Sequence, residues 1–351
     1  MFRSAMLRAI VATSFLLAMG FTVPHQASAW NKVGHWAVSK IAYDDLATTP
    51  EVRGKLVAIL MQHPLYQPMW KHMVSHQADK GAALFMLASS WPDDIKSSAI
   101  NGQPNPNRLP GMTETVVKQQ LNPQHFYDSK HVSPGQHVNG EDAETPNLMT
   151  ALDVYSHTLR DGPTDADRAI ALCWLLHLVG DAHQPLHCIS RFSDQQAHGD
   201  KGGNWDWVAF DEPNPDLHAG QHPHHFVGNL HAYWDGQLGP EGVLTHASDP
   251  FAKAASKALT IEHEKPRDTL TQVSVHDPAS WIGESADLAI RDVYNDDTLD
   301  FQAVNSWTAH PGSAPELPAG YSDTAYADAK ERIALSGYRL ADFLRQLTAS
   351  Q

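Results

Sequence analysis

Two cysteines are few for a chain of 351 residues. They exclude a disulfide-dense scaffold, and a chain this long needs no disulfide to fold. Cys173 and Cys188 stand 15 residues apart, which is roughly 22 Å along an uninterrupted helix. Two free, buried thiols are expected. Positive charge is also scarce: 25 Lys+Arg face 40 Asp+Glu, a formal net charge of −15 with His neutral. Such a protein does not hold a polyanion by a broad basic surface. A phosphate substrate would need a local cluster of positive charge, which bound cations can supply. Beyond the first 29 residues no apolar run is long enough to span a bilayer. Strand-like alternation is sparse. There is no internal repeat, no low-complexity segment and no linker separating two cores, so one mostly α domain is expected.

What the chain has in excess is histidine, 22 residues, and tryptophan, 10. Its first 29 residues read as a secretory signal. Arg3 and Arg8 form a basic start, Ala9 to Phe21 is apolar but short, and Ala27-Ser28-Ala29 fits the small-x-small cleavage rule. Cleavage there leaves residues 30–351 beginning at Trp30, two charges more negative. A soluble, periplasmic or secreted protein is expected, with no stable membrane insertion and acting as a monomer.

The stretch His177 to His187 organises the rest. It follows an apolar run, Ala169 to Leu176, free of Pro and Gly, which reads as a buried helix. His177 and Asp181, four apart, share one helical face. Pro185 ends or kinks the helix near Gln184, leaving His187 free to turn back toward the same cavity. Neutral imidazole and carboxylate at this spacing are first-row metal ligands, and zinc is the commonest such ion in hydrolytic sites. One such histidine alone would read as structural. Three His and one Asp in eleven residues favour a metal, because burying them unpartnered is costly. Asn229 to Asp235 repeats the spacing with His231 and Asp235.

Taken in order, Val33, Trp36, Ala37, Ile41 and Leu46 recur at helical spacing, which starts a helix by about Val33 with His35 in its first turn. A terminal amine at Trp30 could ligate a metal beside His35, though a frayed terminus is the ordinary fate of chain ends. After Gly81 to Ser90 the chain is expected to leave a helix, with Asp93 and Lys96 on a turn or first helical turn; these two read equally as solvated capping charges. Ile100 to Gly111 and His131 to Pro146 read as loops. An extended His125-Phe126-Tyr127-Asp128 would place His125 and Tyr127 opposite Phe126 and Asp128. An aromatic beside a carboxylate can stack on a base and bond its edge, or simply fill a core. Helices are expected over Leu148–Arg160, Asp165–Gln184, Ala252–His263, Pro278–Asp292 and Ala325–Leu347, with a long loop over Ser190–Val227. That loop carries Gly202-Gly203-Asn204, whose glycines permit close backbone approach or a tight turn. It also carries His218, His222, His224 and His225, read as an exposed, adventitious cluster.

With these residues in hand the chain resembles the S1/P1 nuclease family, the zinc-dependent type I nucleases. The resemblance rests on Trp30 with His35, Trp91-Pro92-Asp93 with Lys96, His125 to Asp128, His177 to His187, Gly202-Gly203-Asn204, and Asn229 to Asp235. It implies a predominantly helical fold with a trinuclear zinc cleft. Carried over by position, Asp93, His125, His177 and Asp181 would hold one Zn2+, and His187, His231 and Asp235 a second. The Trp30 amine and carbonyl, His35 and a bridging Asp181 would hold the third. Cleavage after Ala29 would then create a ligand. His183 is left for supporting hydrogen bonds or packing. Pro92 stands where a small Ala is more usual. The fungal members' disulfides and the eukaryotic members' glycosylation sequons are missing, as suits a bacterial secreted protein.

The resemblance implies hydrolysis of single-stranded DNA and RNA to 5′-phosphate products, and 3′-nucleotidase activity. Zinc would activate a shared water that Asp93 orients, and Lys96 would stabilise phosphate charge. Phe126 would stack the base, with Asp128 and Asn204 reading its edge. Zinc phospholipase C is the nearest enzymatic alternative, and a non-catalytic zinc-binding protein the alternative of another class.

Overall fold

The computed structural model describes residues 30–213 and 224–349. Twelve α-helices are found there: α1 Lys32–Asp45, α2 Pro50–Leu60, α3 Lys71–Val74, α4 Lys80–Asp94, α5 Glu114–Val116, α6 Leu148–Asp161, α7 Asp165–Asp181, α8 Leu230–Asp235, α9 Gly242–Thr245, α10 Pro250–Glu264, α11 Pro278–Leu288 and α12 Tyr321–Ala349. The chain is mostly α, as the sequence implies. Side-chain caps set the starts of the helices that matter most. The Asn31 side chain accepts from the Val33 and Gly34 amides at α1, Thr164 caps α7 through the Asp167 amide, and Asn229 caps α8 through the Ala232 amide. Each satisfies donors that the first helical turn leaves open.

α7 is apolar all round and is central, packing on α1, α2, α4, α6 and α12. Every residue from Ala171 to Phe192 is buried. The helix stops at Asp181, three residues short of Gln184. Pro185 opens a separate 3-10 turn, Pro185–His187, which reverses the chain. Elsewhere proline does not end a helix: α4 runs through Pro92, so Asp93 sits in its last turn rather than beyond it. A proline removes the amide donor toward the preceding turn, but here only two helical residues follow it.

Seven short strands complete the described residues: β1 Ala99–Ile100, β2 Gln103–Pro104, β3 Ser129–Val132, β4 Ile189–Phe192, β5 Asp206–Asp211, β6 His225–Asn229 and β7 Gln302–Ala303. β3 and β4 pair in parallel, Ser129 against Ile189. β5 lies between β6 and β7, antiparallel to both. The span Ser190–Val227 therefore holds strands where a long loop was expected, and β3 begins the expected loop at His131. β4 is short and pairs with β3 across sixty residues, whereas β5 and β6 pair with each other across the end of the span.

Two apolar clusters result. The larger gathers α1, α4, α6, α7 and most of α12 around Trp30, Phe85, Trp174 and Trp281. The smaller gathers Leu186, Ile189, Val208, Leu230, Trp234 and Tyr294, with Tyr321 and Ala325 from the start of α12. The segment from α7 to Leu186 passes from one to the other, and the histidines and aspartates lie along it. Cys173 and Cys188 are both buried and free, as expected. Among the described residues no helix is long and apolar enough to cross a membrane.

Candidate metal centre

The last turn of α7 turns His177 and Asp181 to one side. His177 Nδ1 lies 2.7 Å from the Ser89 carbonyl. A carbonyl only accepts, so Nδ1 carries the proton and Nε2 presents a lone pair. That Nε2 is 2.9 Å from His125 Nδ1, 3.3 Å from Asp181 Oδ2 and 3.6 Å from Asp93 Oδ1. His125 Nδ1 is also 3.0 Å from Asp181 Oδ2 and 3.9 Å from Asp93 Oδ1. His35, in the first turn of α1, stacks on His177 with ring centroids 3.8 Å apart. Its Nε2 is 3.5 Å from Asp181 Oδ1 and 3.8 Å from Asp93 Oδ2. Neither His35 nitrogen has a hydrogen-bond partner, and neither does His125 Nε2 or Asp181 Oδ1. Gly180 leaves room for the His35 ring, since a Cβ there would come within 3.1 Å of His35 Nδ1. Trp30 is fully buried and packs against Gly34, where a Cβ would sit 2.5 Å from Trp30 Cβ. The processing expected after Ala29 lies outside the described residues.

A second group sits across the seam. His187 Nδ1 donates to the His125 carbonyl at 2.7 Å, and His231 Nδ1 to the Gly202 carbonyl at 2.6 Å. With Nδ1 protonated in each ring, both Nε2 atoms carry a lone pair, and they face each other at 3.0 Å. Asp235 Oδ2, one turn along α8, is 3.4 Å from His231 Nε2, while Gln184 Nε2 donates to Asp235 Oδ1 at 2.6 Å. Gly202 is required where it stands. Its φ is +61°, and a Cβ would fall 2.3 Å from the Leu186 carbonyl oxygen.

Burial sets the electrostatics. It drives His35 down to about 3, with the neighbouring His177 adding to the effect, and drives His177 down to about 4. It also holds His125 and His187 well below the usual imidazole range. Asp181 and Asp235 are pushed well above the usual carboxylate range by the same cause. Asp93 is the exception: burial opposes its charge, but Lys96 and then His177 and His35 bring it to about 2. Imidazoles that resist protonation and, Asp93 apart, carboxyls that resist ionisation share one space. A divalent cation reverses the cost for both. Three groups have ligand atoms within 4.8 Å of one another: His35, His177 and Asp181; Asp93, His125 and His177; and His187, His231 and Asp235. All eight His and Asp side chains expected as metal ligands fall in these groups, and their donor sets suit zinc.

The other expected residues surround them. Lys96 is buried, with Nζ 2.7 Å from Asp93 Oδ1. Phe126 is half-buried and stacks on the His187 ring, centroids 4.3 Å apart and planes 24° apart. His125 closes a 3-10 turn, so the expected alternation fails: His125 and Phe126 both meet the histidine cluster instead of opposing each other. Pairing of β3 with β4, extended by the Tyr127 amide to the His187 carbonyl, fixes this arrangement. Asp128 is half-buried, and burial raises its carboxyl to about 6 against the pull of Lys201. Asn204 is buried, with Nδ2 donating to the Lys201 carbonyl at 2.8 Å.

Apart from the Gly202-Gly203 pair, the supports of these ligands carried little mark in the sequence. Ser89 and Gly202 act through backbone carbonyls, and Gln184 through its position just past α7. Asp200 Oδ1 accepts from the Gly202 amide at 3.0 Å and the Arg191 amide at 2.9 Å, while its Oδ2 accepts from Tyr294 at 2.7 Å. An aspartate two residues before Gly202-Gly203 was the one available signal. His183 turns away from the cluster and bonds the Val179 carbonyl and Arg339. His225 pairs with Asp211 and Glu316 at the surface, and His218 and His222 lie outside the described residues.

The S1/P1 Nuclease family model matches residues 30–349. Nuclease S1 of Aspergillus oryzae is 27% identical over 242 residues, covering 65% of this chain and 72% of that protein. The matched span contains both halves of the histidine–aspartate seam and the fold that builds it. The chain belongs to the S1/P1 nuclease family, and its chemistry is hydrolysis at phosphodiester bonds.

Proposed function

We propose that residues 30–351 form one domain, a secreted or periplasmic zinc-dependent phosphodiesterase. It cleaves single-stranded DNA and RNA to 5′-phosphate products and removes the phosphate of 3′-nucleotides. The observation that carries the metal reading is the His187–His231 pair. Two unprotonated Nε2 atoms at 3.0 Å repel unless something positive joins them, and burial disfavours a proton in that place. In this reading Asp93, His125, His177 and Asp181 hold one zinc, and His187, His231 and Asp235 a second. His35 and Asp181 hold a third together with the Trp30 amine and carbonyl.

Zinc bound there lowers the pKa of a coordinated water toward neutrality and offsets phosphate charge. The protein's own groups do the rest. Asp93, ionised through the working range, accepts a hydrogen bond from the attacking water and aims it. The Lys96 ammonium, 2.7 Å from Asp93, is within reach of a non-bridging phosphate oxygen and balances the charge that grows there. Phe126, supported from behind by His187, offers a face for a base. Asp128 and Asn204 bond the base edge. A base can reach that face only when unstacked, which selects single strands.

The test is to incubate protein beginning at Trp30 with single-stranded DNA, with and without a chelator, and to identify the products. Chelator-sensitive release of 5′-mononucleotides is the expected result. A folded, zinc-loaded sample that releases none removes the proposal.

A further inference from the structure

The aromatic residues of this chain are not all spent on the core. Trp205, immediately after Asn204, and Trp207 in β5 are half-buried, alternating with buried Asp206 and Val208. The two indoles therefore share the outward side of the ribbon. Beyond β7 the chain stays on this side, the Val304 amide bonding the Trp205 carbonyl at 2.9 Å. It then presents Trp307, whose ring lies edge-on to Trp205 at 5.8 Å. At 59% exposure, Trp307 is the most exposed large apolar side chain among the described residues. His310 meets Trp207 edge-on at 5.3 Å. Lys201 sets its ammonium over the Trp205 ring, 5.6 Å from the centroid. Three indoles, an imidazole and an ammonium thus lie on one open surface. That surface begins at Lys201 and Trp205, which flank the Gly202-Gly203-Asn204 segment.

Exposed indoles are costly to keep in water unless something covers them. A protein of net negative charge has little general attraction for a polyanion, so the few places where a cation sits on an aromatic face matter more. Flat rings beside an ammonium suit the alternating bases and phosphates of a single strand. We infer that Trp205, Trp307 and Lys201 form an accessory subsite that takes the nucleotides of a single-stranded polynucleotide lying beyond the pair at the scissile bond. Bases stack on the two indoles and a phosphate meets Lys201. The inference rests on the phosphodiesterase reading above. It adds that affinity grows with strand length on the Asn204 side of the cleft.

The experiment compares zinc-loaded wild type, Trp307→Ala, Trp307→Phe and Trp205→Ala on a dinucleotide and on a single-stranded dodecamer. Trp307 is exposed, so its variants should fold, which circular dichroism checks. For Trp307→Ala the dodecamer KM is expected to rise about fivefold or more, the loss of roughly one base–aromatic stack. Its kcat and the dinucleotide kinetics should be unchanged, and Trp307→Phe should recover most of the dodecamer KM. An unchanged dodecamer KM in both alanine variants overturns the subsite. So does an equal loss on both substrates, which marks a structural role. A change in oligomeric state on size exclusion with KM unchanged overturns it as well, since the face then joins copies of the chain. Wild type cleaving neither substrate would remove the phosphodiesterase reading and the subsite with it, and the wild-type control separates that case from failure of the subsite alone.

Discussion

The Nε2 atoms of His187 and His231 face each other 3.0 Å apart. Each ring donates its Nδ1–H to a carbonyl, His187 to that of His125 and His231 to that of Gly202, which leaves Nε2 as the lone-pair nitrogen of each neutral ring. Those carbonyls belong to segments far apart in sequence, so the fold imposes both tautomers. A cation between the two lone pairs would relieve their contact.

His231→Ala should therefore cost more than the about 10–100-fold that changes behind a metal ligand bring. It should also lower the zinc content by one per chain while leaving the fold intact. Parallel metal analysis and rate measurements check this, and a variant with full zinc content and near-normal rate removes His231 from the metal group.

Asp93 differs from its acidic neighbours in being held at about 2 rather than raised. Asp93→Asn keeps the size and removes the charge that aims the water. Hydrolysis of single-stranded DNA is expected to be lost, with the circular dichroism spectrum unchanged. Retained activity would take Asp93 out of the reaction.

A pH dependence follows from a histidine outside the cluster. His63 lies flat on Trp70 at 4.2 Å and edge-on to Trp91 at 4.8 Å, and its Nδ1 accepts from the Leu65 amide at 3.2 Å. Burial depresses it to about 3. The unfolded chain takes up this proton near pH 6.5 and the folded chain does not. The stability is thus fully present above about 6.5 and falls by about 1.4 kcal/mol per pH unit below it, until the folded group titrates near 3. Thermal melts of chelated wild type and His63→Gln between pH 7 and 4 should show a shallower fall for the variant. Parallel curves would contradict this.

The sequence carried the site better than its surroundings. His177 with Asp181 and His231 with Asp235 were legible because four-residue spacing on a helix brings side chains to one face whatever the tertiary structure. Both pairs do so. Phe126 was not legible in detail, because its placement on His187 depends on β3 pairing with β4 across some sixty residues. β4 was missed for the same reason, while β5 and β6 pair within or just beyond the Ser190–Val227 span and were hidden by its loop-like composition. Asp93 was expected on a turn or the first turn of a new helix after Pro92, yet α4 tolerates a proline two residues from its end and keeps Asp93 in its last turn. Ser89 and Gly202 hold His177 and His231 by main-chain oxygens, which no residue type announces. Gln184 was placed near the helix end but not against Asp235, since that contact joins two cores.

The zinc content of two forms of the protein tests the central reading most directly: a chain beginning at Trp30, and one carrying a single extra residue ahead of it. Three zinc ions per chain are expected in the first form, one for each histidine–aspartate group. Two are expected in the second, because the added residue turns the Trp30 amine into an amide that cannot ligate. One zinc or none in a folded, active first form would contradict the trinuclear centre. Equal content in both forms would remove Trp30 from it.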